Sequence, residues 1–203
     1  CVISVFVIFA GLFYFAQDIY ALVAAPLRAY LPEGATMIAI GVASPFLTPF
    51  KLTLVVALFL SIPVILHQIW GFIAPGLYAN EKRIAVPLLA SSILLFYAGM
   101  AFAYFVVFPV IFGFFASVTP EGVAMMTDIS KYLDFVLVLL FAGGFSFEVP
   151  IAVLVAVLLG WVTVEQLVEW RGYIIVAIFI IAAIITPPDG LSQIMLALPM
   201  WAL

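Results

Sequence analysis

One side chain in this sequence stands where a charge is hard to keep. Glu148, in the stretch FAGGFSFEVPIAVLV, is the sole ionisable residue of an apolar run from Phe135 to Val164 and lies close to its midpoint. An ionised group at bilayer depth costs at least ~2.5 kcal/mol even on permissive insertion scales, so it normally faces a bundle interior, water or a partner. The plainer reading is a protonated glutamate bonded to nearby backbone. Pro150, two residues on, favours the functional one: without an N–H it leaves the Ser146 carbonyl in need of another donor. A second acid, Glu81 in LYANEKR, sits beside Lys82 and Arg83 and on its own reads as solvated loop charge.

Other chemistry is poorly served. His67 is the single histidine, with no cysteine or carboxylate at ligand spacing, so no metal site is expected. There is no phosphate-binding lysine loop, no nucleophile elbow, no dinucleotide fingerprint and no nucleophile with its base. The chain is expected to be no enzyme, to carry no cofactor and to bind no nucleic acid.

The elements that must hold Glu148 are set by solvent. With 68% apolar and 8% charged residues and a mean hydropathy of +1.42, this is an integral membrane protein. Its apolar blocks have helical length, not the ten-residue alternation of a barrel. We read one domain, residues 1–203, of six spans. The first runs from about Cys1 to Val23. A Pro- and Gly-rich loop from Ala25 to Lys51 is expected to lie at the interface as short helices, with Ser44 capping the next helix ahead of Pro45. The second span, Leu52 to Phe72, should kink at Pro63. The uncharged stretch Ile84–Phe115 would make ~48 Å of helix against ~30 Å of hydrocarbon, so it must tilt, bend at Pro109 or project.

Asp128 is placed to cap the span bearing Glu148, and Thr163 with Gln166 has capping-box spacing for a short surface helix. Gly172–Thr186 gives only ~22 Å of helix, and TPPDG turns the chain into a last apolar segment. Six spans put both termini on one side. Basic residues do not orient them, since Arg28, Lys51 and Lys131 on one face balance Lys82, Arg83 and Arg171 on the other. The chain starts and stops inside apolar segments, and both ends are expected to be cuts.

The stretches VASPFLTPFK, IAPGLYANEKR, YAGMAFAYFVVFPVIFGFF, FSFEVPIAVLV and IITPPDGLSQIMLALPM resemble, in order and almost end to end, the TatC family of the twin-arginine protein translocase. The resemblance implies an all-α polytopic membrane protein whose six transmembrane helices, the last two short, form a concave bundle. It implies a receptor for twin-arginine signal peptides of folded cargo proteins, in the bacterial inner membrane with both termini cytoplasmic. The implied partners are TatA- and TatB-like single-span subunits, membrane lipid and further copies of the chain, with the proton motive force as energy source. By the same resemblance Glu81 contacts the signal's arginines with Phe72 and Lys82 flanking it. Glu148 is the intramembrane polar pocket, Thr186 and Gln193 dock a partner helix, and Pro26 and Asp189 are functional outer-loop positions. The family's amino-terminal acidic segment does not appear in the sequence, and EQLVEWRGY is less basic than is common in the family. The competing class is an ion- or proton-coupled small-molecule transporter with Glu148 as coupling carboxylate, which the lack of an inverted repeat disfavours.

Overall fold

The computed structural model describes residues 2–29, 37–73, 84–118, 120, 126–185 and 190–202. Among them every regular element is a helix. α1 (Val2–Leu12) passes through a 3₁₀ turn, Phe13–Phe15, into α2 (Ala16–Arg28), together one apolar span to Ala25. α3 (Ser44–Leu60) and α4 (Ile62–Ile73) break at Ser61, just ahead of Pro63, as a proline-disrupted span should. α5 (Ala85–Phe102) and α6 (Phe108–Val118) form one 34-residue helix, and α7 (Ile129–Leu158) carries Glu148. The surface helix α8 (Val164–Glu169) precedes two short apolar helices, α9 (Arg171–Ile185) and α10 (Gly190–Ala202). At ~1.5 Å per residue these two are ~22 and ~20 Å long, well short of the ~30 Å hydrocarbon core.

Lipid is the solvent such a surface requires. α1 is apolar at every position but Ser4, yet none of its residues is buried. Leu94, Phe105 and Ile184 are likewise more than two-thirds exposed. An exposed apolar surface this extensive is foreign to a water-soluble monomer.

Two local expectations need correction. Ser44 is the first helical residue of α3 and not its cap; Ala43 occupies that place with no side-chain bond, because its helical φ of −90° and ψ of −8° let the turn start earlier. Of the loop expected from Ala25 to Lys51, the two ends belong to α2 and α3, and residues 37–43 between them hold no helix. Ile38 instead pairs with the strand-like lead into α7, donating to the Thr127 carbonyl at 3.0 Å and accepting from the Ile129 amide at 2.9 Å. Backbone groups at a membrane surface must find partners, and this bridge supplies them without a helical turn. Two other cap expectations are met. Asp128 Oδ1 accepts from the Ser130 amide at 3.4 Å, and Thr163 and Gln166 close a full capping box.

The chain folds as two units, each taken by itself: Cys1–Ile62 with Tyr104–Val138, and Pro63–Ala103 with Leu139–Leu203. In the first, α1 and α2 pack on α3, with Phe9 edge-on to Phe50 at 5.2 Å. Thr48 and Ser130 hydroxyls meet at 3.1 Å, and Lys51 pairs with Asp134. Prolines leave their mark here. Pro26, expected in a loop, lies in the last turn of α2, where it denies the Leu22 carbonyl its helical donor. The Tyr104 hydroxyl donates to that carbonyl at 2.9 Å, and the Tyr132 hydroxyl donates to the Val23 carbonyl at 3.0 Å. Pro109 cannot donate to Phe105, and the helix widens just ahead of it into a π turn, Ala103–Val107.

In the second unit, Trp70 of α4, Leu88 of α5 and Val155 of α7 form a buried cluster. Farther along, α5 and α7 meet on glycine. A Cβ on Gly99 would fall 2.2 Å from the Gly143 carbonyl oxygen, one on Gly143 2.6 Å from the Gly99 oxygen, and one on Gly144 2.7 Å from the Phe96 ring. Small residues are what let helix backbones approach closely in lipid.

Gly99→Ala should therefore force the two backbones apart and lower the thermal unfolding midpoint of the purified protein, at a cost at or above the ~1–3 kcal/mol of ordinary overpacking. Gly11→Ala, whose added methyl meets nothing within 4 Å, should leave the midpoint unchanged.

Candidate functional site

Glu148 is partly buried on α7. The glycine contact brings α5 close enough for a short side chain to reach it. Ser92, 1% exposed, donates its hydroxyl to Glu148 Oε2 at 2.5 Å. Phe96, packed edge-on against Phe145 at 5.9 Å, lies one helical turn along α5 from that serine. The other carboxyl oxygen, Oε1, is shut from solvent and meets no hydrogen-bond donor among the described residues. Nor does a cation balance it: the single ion pair among those residues is Lys51–Asp134. Ser146 is no candidate donor, because its hydroxyl turns back to the Ala142 carbonyl at 2.5 Å. Buried polar atoms are almost always satisfied, so an acceptor held open in this way has capacity for a donor from outside the described residues.

The remaining expected positions are scattered. Phe72 is 88% exposed in the last turn of α4. Gln193 is partly buried on α10 beside the fully buried Ser192. Glu81, Lys82, Thr186 and Asp189 lie outside the described residues. His67 is exposed on α4. At α8 the Glu165 carboxyl is held below the usual carboxylate range by its own backbone N–H and by the Thr163 hydroxyl, so this surface turn stays anionic.

Sequence reasoning missed Ser92 and the glycine pair. The signals were present but weak: a serine pair in LLASSILLFY and the GG of FAGGF, with nothing to say that residues 56 apart would meet.

Helices with apolar surfaces, joined by a polar pair at depth, define a multi-pass helical membrane protein. The comparisons make this particular. The model of the Sec-independent protein translocase protein (TatC) family matches residues 1–199. The protein of that name from Azotobacter chroococcum mcd 1 is 70% identical over 202 residues, covering 100% of this chain and 79% of that protein. The one from Escherichia coli K12 is 57% identical over 203 residues, covering 100% and 79%. A crystal structure of the twin arginine translocase receptor TatC superposes with a TM-score of 0.84 at 38% identity, covering 99% of this chain and 88% of that one. The chain belongs to the TatC family. It is thus a multi-pass protein of the bacterial inner membrane and a translocase subunit, not an enzyme, as the sequence motifs imply.

If Ser92 satisfies Glu148, Ser92→Ala should cost about 1–3 kcal/mol, the usual cost of orphaning a buried acceptor, while Ser92→Ala with Glu148→Leu should recover much of it. Thermal unfolding of the purified variants checks this; equal losses in the single and double variants would disprove the pairing.

Proposed function

We propose that this chain is the signal-peptide receptor and core subunit of the twin-arginine translocase, exporting folded proteins with energy from the proton motive force. The observation that carries this reading is its near full-length likeness to the twin arginine translocase receptor. Residues 1–203 act as one functional domain, supported by a family match to residues 1–199. Both termini face the cytoplasm, and the chain works with TatA- and TatB-like single-span subunits and with other copies of itself.

Recognition begins at Glu81. A guanidinium presents its donors as a rigid planar fork that fits a carboxylate bidentately, so acids discriminate paired arginines from lysines. Phe72, exposed at the end of α4, offers a ring face on which a guanidinium can stack, and Lys82 bounds the patch. Deeper in the membrane, the open Oε1 of Glu148 gives a polar partner to a transiting signal or to a donor from a neighbouring subunit. Thr186 and Gln193 dock a partner helix beside the short α9 and α10, and Pro26 and Asp189 act at the outer surface. Pro26 has a physical basis for its part, since it exposes the Leu22 carbonyl that Tyr104 then grips.

Glu81→Gln should weaken binding of a twin-arginine peptide by ~1.5–3 kcal/mol, the worth of a hydrogen bond to a charged group, and Glu81→Arg by more. Affinity unmoved by either would refute the assignment. Glu148→Ala should leave that affinity intact while slowing transport into inverted vesicles; a normal rate would remove Glu148 from the mechanism. Gln193→Leu should lower crosslinking to a TatB-like subunit through loss of an interhelical bond worth roughly 0.6–2 kcal/mol, with peptide affinity preserved.

A further inference from the structure

Beside the second half of α7 lies a groove of about 800 Å³, walled by α7, α8, α9 and the end of α10. Its lining is apolar, including Val153, Val157, Ile174 and Trp201, with one exception, Arg171. Glu148 does not line it, although its neighbours Val149 and Pro150 do, so the groove is distinct from the polar pair on α5 and α7.

Arg171 is exposed and has no ion-pair partner among the described residues. Val164 and Leu167, three apart on α8, share the groove wall with Arg171 at the start of α9, and Glu165 and Glu169 fall outside the lining. The depth of the arginine is marked independently. Trp161, Trp170, Tyr173 and Trp201 are all exposed and flank this end of the groove in sequence or line it, and amphipathic rings of this kind sit at the headgroup level. A guanidinium at headgroup depth above an apolar trough is complementary to a lipid phosphate above its acyl chain. Gly172, where an added side chain would meet nothing within 4 Å, leaves the approach to Arg171 open.

We propose that this groove is a binding site for an anionic phospholipid of the leaflet on the α8 side, with an acyl chain against Val153 and Val157 and the phosphate on Arg171. A partner's transmembrane helix fits the observations less well, because at this depth it would have to bring a carboxylate to meet the arginine, whereas every anionic lipid carries its charge at that level.

The test is native mass spectrometry of the full-length protein taken from mixed bilayers of phosphatidylglycerol and phosphatidylethanolamine. Wild type should retain the anionic lipid in preference, and Arg171→Gln should reduce that preference about fivefold, the effect of one cation near a charged headgroup. Val153→Trp, which fills the trough, should reduce retention of both lipids. Lys131→Gln, on an exposed cation outside the groove, should change neither. Undiminished preference in Arg171→Gln, or undiminished retention in Val153→Trp, overturns the site. So does a photocrosslinker at Val153 that captures a single-span subunit in place of lipid in native membranes.

Discussion

The contact of Gly99 with Gly143 is the constraint on which the intramembrane chemistry rests. Helix axes in ordinary packing stand 8–10 Å apart, and at that spacing a serine, with one rotatable bond, has little reach across the gap. Here each glycine lies against the other's carbonyl oxygen, and α5 and α7 come close enough for Ser92 to bond Glu148. In lipid no hydrophobic force drives one apolar helix onto another, so shape and small residues decide where helices touch. The polar pair is thus a consequence of backbone proximity before it is a consequence of polarity.

The same economy governs the prolines. In hydrocarbon every freed carbonyl must be satisfied from within the protein. Pro26 frees the Leu22 carbonyl and a tyrosine hydroxyl answers it; Pro109 is accommodated by a π turn; Pro63 follows an outright break at Ser61. These are three solutions to one loss of an N–H. Each depends on what lies alongside the helix at that level, which is why a tyrosine is spent on one and a change of helical pitch on another.

The short helices pose a different constraint. α9 and α10 do not have the length to cross the hydrocarbon unaided, so their polar and aromatic ends fall at depths where a longer helix would present aliphatic side chains. Arg171 and the exposed tryptophans around α8 stand at one end of this hairpin, beside a trough whose other lining residues are apolar. A hairpin this short is accommodated by local thinning of the bilayer or by contact with other chains.

By itself the sequence determined the solvent, the all-helical class, the capping box at Thr163 and Gln166, and the family, because these depend on composition, spacing and contiguous motifs. It also marked Glu148 as the residue that must have a reason, since a carboxyl in an otherwise uncharged run of thirty residues costs free energy wherever the chain folds. Tertiary structure alone decided what that reason could be. Ser92 became its partner, and Oε1 was left open, through a helix contact between residues more than forty apart. Pro26 stands in a helix where loop was expected, and the Leu22 carbonyl it released is taken by a tyrosine 82 residues from that leucine. Periodicity records which face of a helix is apolar, but in a membrane nearly every face is apolar, and the pattern that would have named the neighbours is erased by the solvent itself.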